Sequence, residues 1–350
     1  MDQDRQHDSG KAPPHLRPGR GWGLVAGLIL WLLTGTWALA DSVRIATYNT
    51  ELFRDGPGLL LRDIARGKDA QVRAVIAEID ALNPDILVLQ GFDWDYDGRA
   101  LAALSEALVA PYPHRFAAKP NTGIATGVDL DGDGLRYGPR DAFGYGTFTG
   151  QGGMAVLSRY PIREAGVQDF TTRLWRDLPD ANMPTRNRAP FPSEAAHAIQ
   201  RLSSVAHWAI PIDVPELGQI TLLTWHGSTP VFDGPEDRNG KRGGDEARFW
   251  QHYLDGAFGP PGPNPILAGQ SNIDPNKGEG LRGVMQSLLD EARLQTPEGT
   301  AQPTANWPQT GPMRASYILP SNALTVTASG VTAPNPEASR HRIVWVDITP

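Results

Sequence analysis

Pro263-Asn264-Pro265-Ile266-Leu267-Ala268-Gly269-Gln270-Ser271-Asn272-Ile273-Asp274 is the stretch on which the reading of this chain turns. Its short apolar run, Ile266 to Ala268, stops at a Gly-Gln-Ser-Asn turn. That pattern predicts a buried strand handing polar side chains to the edge of a sheet.

Working outward, strands and helices alternate on both sides of it. Val43 to Asn49 alternates apolar and polar residues and predicts a strand ending at Thr50-Glu51. Val72, Val75, Ile76, Ile79 and Leu82 recur at three- and four-residue spacing, one helical stripe over Gln71 to Leu82, which Asn83-Pro84 ends. Asp85 to Gln90 is a near-continuous apolar strand of the kind buried on both faces. Leu101, Leu104 and Leu108 mark a further helix, and Met154 to Leu157 a further strand. Arg201 to Val214 and Gln219 to Trp225 predict paired strands, Asp245 to Leu254 and Gly280 to Leu289 helices, and three strands close the chain. Residues 117–152 and 169–194 are aperiodic and rich in turn-forming residues, which predicts long surface loops of the sort that carry recognition. Without an internal repeat or a splitting linker, residues 41–350 read as one α/β domain.

Composition narrows the class. The chain is 40% hydrophobic and 20% charged, which excludes a disordered or fibrous protein. A formal charge of -7 excludes a general nucleic-acid-coating surface. There is no cysteine, so thiol catalysis and Cys-ligated zinc are excluded. In residues 1–40, Arg17 and Arg20 precede an apolar run from Trp22 to Leu39, and Ala38-Leu39-Ala40 supplies a small-x-small cleavage pattern. The expectation is a secretory signal and an exported protein, periplasmic or extracellular. The same run is long enough to remain as an uncleaved membrane anchor, the one route to a membrane that the sequence offers.

Several segments carry a resemblance. Ala46-Thr47-Tyr48-Asn49, Asp85 to Gln90, Gly153 to Ile162, Thr224-Trp225-His226, Gly269-Gln270-Ser271-Asn272, Arg314 to Ser321 and Ser339-Arg340-His341-Arg342 fall in one order. That order resembles the endonuclease/exonuclease/phosphatase superfamily, over residues 43 to 349. The resemblance implies a four-layer α/β sandwich, two packed mixed β-sheets flanked by helices. It also implies divalent-metal-dependent phosphoester hydrolysis with Mg²⁺ or Mn²⁺, acting on a phosphoester-containing substrate. Apart from the resemblance, the expectation for the chain is a monomer.

Residue by residue, the resemblance assigns Asn49, His226, Asn272 and His341 to the catalytic set. Four family carboxylates are substituted, by Gly91, Gln270, Ser316 and Arg340. Gln270 can orient a water but cannot take its proton near neutral pH. Ser316 keeps a hydrogen bond without charge, and Arg340 suits a substrate phosphate better than a cation. Glu51 and Asp93 are the carboxylates left to replace the missing metal ligand. The alternative reading is a catalytically inactive member that binds a phosphorylated ligand or a protein partner. Separately, Asp129-Leu130-Asp131-Gly132-Asp133-Gly134 matches the first half of a calcium loop, with Asp129, Asp131 and Asp133 as ligands, although Arg140 stands where such a loop has its bidentate Glu. A solvated Asp/Gly turn reads equally from the same residues.

Overall fold

The computed structural model describes residues 42–350 apart from residue 216. The expected leader or anchor lies outside them. In chain order the strands of the two large sheets are β1 (Val43–Leu52), β2 (Ile86–Phe92), β3 (His114–Phe116), β4 (Gly153–Ser158), β5 (Gln168–Asp169), β6 (His207–Val214), β7 (Gly218–Trp225), β8 (Pro265–Gln270), β9 (Ser316–Pro320), β10 (Thr325–Val331) and β11 (Val344–Thr349). The helices are α1 (Leu59–Arg66), α2 (Ala70–Leu82), α3 (Arg99–Ala107), α4 (Glu194–Ile199), α5 (Arg238–Leu254) and α6 (Arg282–Leu289).

The first sheet has strand order β10-β11-β1-β2-β4-β3 and the second β9-β8-β7-β6-β5. Each is mixed, with one parallel pair at its centre: β1 beside β2, and β7 beside β8. Ile45, Val88 and Val156 from one sheet meet Ile210, Leu222 and Ile266 from the other in a single apolar cluster between the sheets. The outer face of the first sheet, with Tyr48, Leu87 and Leu89, is covered by Val72, Val75 and Ile79 of α2 and Leu101 and Leu104 of α3. The outer face of the second, with Leu223, Trp225 and Leu267, is covered by Phe249 and Trp250 of α5 and Met285 and Leu288 of α6. Helix, sheet, sheet, helix is the expected four-layer sandwich.

Local chemistry explains most boundaries. The Asp69 carboxylate accepts from the Val72 N–H and starts α2, while Asn83, at φ 52, ends it. Helix α5 begins at Arg238, seven residues before the expected Asp245. Gly240, Gly243 and Gly244 lower the propensity of its first turns and hide them from a periodicity reading. Gly243 is there for contact: a Cβ would stand 3.1 Å from the Ser228 carbonyl, so its absence lets the end of β7 rest on the helix. The expected strand from Arg201 starts instead at His207. Residues 201–204 form a loop whose carbonyls at Arg201, Leu202 and Ser203 accept from Arg242 of α5. Among the described residues, no helix is long and apolar enough to cross a membrane.

Candidate functional site

The ends of β1 and β8 meet between the sheets and bring Asn49, Gln270 and Asn272 into one hydrogen-bonded relay. The Asn49 Nδ2 donates to Gln270 Oε1 at 2.7 Å, Gln270 Nε2 to Asn272 Oδ1 at 2.5 Å, and Asn272 Nδ2 to the Gly227 carbonyl at 2.8 Å. At the other end Asn49 Oδ1 accepts from the Glu51 N–H at 3.0 Å. Both ends are backbone groups of fixed polarity, so the orientation of every amide follows from them: turning one would set donor against donor. Asn272, at φ 61, adopts the left-handed conformation that Asn tolerates.

Three further groups surround the relay. His226 pairs across to Gln270 as an isolated bridge, and Ser316 is the register partner of Gln270 on β9. His341 pairs with Ala305, and the Trp307 ring meets its imidazole edge-on at 5.2 Å. The Nδ1 atoms of His226 and His341 and the Ser316 hydroxyl are buried without a hydrogen-bond partner. Burial, reinforced by the neighbouring His341, pushes the His226 imidazole down to about 3. Burial likewise pushes His341 down to about 4, with Glu51 pulling the other way. Both rings are therefore neutral near pH 7.

A depressed folded-state value means that the unfolded chain takes up the proton first. The stability due to each histidine is complete above about pH 6.5 and is lost as the pH falls toward its folded value. Between pH 6 and 4, His226→Asn is expected to flatten the pH dependence of the urea midpoint, removing a slope of about 1.4 kcal/mol per pH unit. An unchanged slope would show that His226 already binds a proton in the folded protein.

The carboxylates are placed as follows. Glu51, at φ 51 in a bulge of β1, sends its side chain to Arg340. Its Oε1 accepts from Arg340 Nε at 2.8 Å and from Nη2, and its Oε2 accepts from the Arg340 N–H at 2.8 Å and the Ser339 hydroxyl at 3.2 Å. Burial disfavours its charge, but these bonds outweigh burial and hold it below the usual carboxylate range. Three N–H donors from Arg340 and a share of the Ser339 hydroxyl proton engage both oxygens of the carboxylate. Asp93 accepts the Gly152 N–H on Oδ1 and the Arg54 N–H on Oδ2, each at 2.9 Å. Burial pushes it up to about 6 despite them, and neither oxygen bonds to the relay or the imidazoles. Gly91, where the resemblance expects the principal ligand, has φ 63, and a Cβ there would lie 2.4 Å from Asn49 Oδ1.

Among the described residues, the one group of three or more acidic or histidine ligand atoms within 4.8 Å of one another is Asp129, Asp131 and Asp133. Their oxygens also accept local backbone N–H groups, as in Asp129 with Gly132 and Gly134. Arg140 reaches only 3.9 Å from Asp131.

Sequence reasoning did not single out Glu246, Arg242, Ser339 or Trp307. Ser339 donates to the Asn49 carbonyl at 2.8 Å and so ties the last motif to the first. Its position beside Arg340 and His341 was the available signal. Glu246 and Arg242 gave none, since a Glu and an Arg on a helix read as solvated.

The layers and the polar strand ends gathered between the two sheets define the class as a four-layer α/β sandwich. The chain belongs to the endonuclease/exonuclease/phosphatase family, whose model matches residues 46–341. Members of this family are generally divalent-metal dependent. No curated protein matches the chain. Among solved structures it is similar to an endonuclease/exonuclease/phosphatase from Beutenbergia cavernae DSM 12333, at 23% identity and TM-score 0.53, covering 88% of this chain and 72% of that one. A sphingomyelinase C from Streptomyces griseocarneus is similar at 17% identity and TM-score 0.50, covering 88% and 99%. A mannosyl-6-phosphatase from Bacteroides thetaiotaomicron VPI-5482 is similar at 15% identity and TM-score 0.50, covering 88% and 100%. These likenesses speak to the fold.

Proposed function

We propose that residues 41–350 act as an exported, phosphate-recognising member of this family in which the metal-assisted turnover is lost. The observation that carries the reading is the relay: Gln270, an amide with no proton affinity to use near neutral pH, bridges Asn49 and Asn272 at the centre of the site. A hard divalent cation needs several unengaged oxygens, carboxylates above all. Here Glu51, the carboxylate bonded beside the relay, is committed to Arg340, Asp93 bonds to backbone amides away from the relay, and each relay oxygen accepts a neighbour's N–H. That donor set does not fit Mg²⁺ or Mn²⁺.

The test is hydrolysis of a panel of phosphomonoesters and phosphodiesters, plasmid DNA included, by the full chain with Mg²⁺, Mn²⁺ or EDTA. No metal-dependent turnover is expected. Turnover that needs metal and disappears in His226→Ala would overturn the reading and establish an active hydrolase with Glu51 or Asp93 as its ligand.

The 129–134 loop is proposed as a calcium site apart from this centre, supported by the convergence of its three carboxylates. Calcium is expected to raise the melting temperature of the full chain and EDTA to lower it, with Asp131→Ala abolishing both effects. A melting temperature indifferent to calcium would return the loop to a solvated turn.

A further inference from the structure

The 117–152 loop carries a groove that the relay does not use. Its frame is buried: Asp141, 2% exposed, accepts the Leu130 N–H on Oδ1 and the Gly138 N–H on Oδ2, each at 2.9 Å, and so clasps two arms of the loop together. Further along, the Phe143 N–H donates to the Ile124 carbonyl at 3.0 Å and the Gly123 N–H to the Gly144 carbonyl at 2.9 Å. A Cβ at Gly144 would stand 1.7 Å from the Ser204 carbonyl oxygen, so the loop lies flat on the domain. On this frame is a cavity of about 450 Å³, the size of a small-ligand cleft, lined by Leu135, Tyr137 and Tyr145 together with Arg136, Arg140 and Asp131. Tyr137 is 75% exposed, and Tyr145 and Leu135 are each 68% exposed. Among the described residues, neither phenol hydroxyl nor the Arg136 guanidinium has a hydrogen-bond partner, and Arg140 comes only within 3.9 Å of Asp131 Oδ2. Tyr137 also stands at φ 73, a conformation costly for a bulky residue. Internal packing does not repay it, since its ring merely borders Gly127, where a Cβ would be 3.9 Å away.

Charge selects the occupant. An anion in the groove would meet Asp131 and Asp133, and a cation would meet Arg136 and Arg140. A neutral ligand rich in hydroxyls suits both signs, because each hydroxyl can donate to a carboxylate and accept from a guanidinium or a phenol. The apolar C–H faces of such a ligand lie well against aromatic rings. We propose that this groove binds a neutral carbohydrate, its pyranose rings laid against Tyr137 and Tyr145 and its hydroxyls shared among Arg136, Arg140 and Asp131. None of these residues belongs to the relay, so the proposal goes beyond the loss of turnover and does not depend on it.

The experiment is calorimetric and saturation-transfer NMR titration of the full chain with cellotriose, maltotriose, mannotriose and triacetylchitotriose. Each is run with calcium and with EDTA, because Asp131 also belongs to the 129–134 loop. Binding of at least one trisaccharide in either condition is expected, with a dissociation constant on the order of 0.1–1 mM. Tyr137→Ala and Tyr145→Ala are each expected to weaken it by about 10-fold, the loss of one stacking ring, and Tyr137→Phe by less. Tyr137→Gly should lose the binding yet keep or raise the melting temperature, since glycine takes the left-handed conformation without strain. That variant separates loss of binding from loss of fold. No binding of any trisaccharide, or unchanged affinity in a folded Tyr137→Ala, would overturn the proposal. Co-sedimentation with phosphatidylglycerol vesicles that Tyr137→Ala abolishes, with no saccharide bound, would overturn it too and assign the groove to a membrane surface.

Discussion

Gly91→Glu, the substitution that writes the family's principal metal ligand back into the sequence, is expected to destabilise the protein without restoring turnover. Gly91 sits at φ 63, where a side chain costs about 1–2 kcal/mol from backbone sterics alone. Its Cβ would stand 2.4 Å from Asn49 Oδ1 and 3.2 Å from the Glu51 N–H, so Asn49 must turn away. Turning it breaks the bond from Glu51 and the first bond of the relay, at about 1 kcal/mol each. The new carboxylate then lies beside the Glu51–Arg340 pair with no partner of its own. The sum is on the order of 3–5 kcal/mol, a fall in melting temperature on the order of 10 °C. Gly91→Ala shares the backbone and steric terms and should show most of that loss, which separates geometry from charge. A Gly91→Glu protein of unchanged melting temperature and metal-dependent activity would mean that the bulge remodels freely and that the site lacks only its ligand.

That expectation shows where the sequence was legible and where it was not. The strand at Asp85 to Gln90, the α2 stripe and the buried run at Ile266 to Ala268 follow from local periodicity, and the chain folds as they predict. Asn49, Gln270 and Asn272 are hydrogen-bonded together, His226 and Ser316 pair with Gln270, and His341 is a neighbour of His226. What periodicity cannot give is which partner a polar side chain chooses across hundreds of residues. Glu51 read equally as a ligand or a surface residue, and it is neither free nor solvated because Arg340, far along the chain, holds it. Asp93 read as a replacement ligand, and its partners, the backbone amides of Arg54 and Gly152, are ones no local pattern announces. The first turns of α5 were missed because glycines serve close packing there.

The second large effect is expected at a residue that touches no proposed ligand. Glu246 is buried on α5, where Oε1 accepts the Ser204 N–H and hydroxyl at 2.5 and 2.7 Å, and Oε2 accepts the Ser228 N–H at 2.6 Å. The one proton of the Ser204 hydroxyl is shared between Glu246 and the His226 carbonyl, 3.1 Å away, so Glu246 holds both the Ser204 loop beside His226 and the Ser228 backbone that follows it. One turn earlier on the same helix, Arg242 donates to the carbonyls of Phe143, Arg201, Leu202 and Ser203. Burial lowers the Arg242 guanidinium to about 10, and Glu246 opposes that fall. Glu246→Ala removes an acceptor from three donors and leaves the arginine charge buried without its opposite, a loss on the order of 3–5 kcal/mol. Glu246→Gln keeps one acceptor oxygen but turns an N–H toward a donor, so about 1–3 kcal/mol is expected. The His226 ring resonances should shift in the Gln variant at temperatures where it is folded, which a loss of stability alone would not produce. Replacing both charges, in Arg242→Met with Glu246→Leu, should cost less than the sum of the two single replacements, because neither charge is then left alone in the interior. Additive losses would mean that water reaches the pair, and the rigid seating of His226 would need another support.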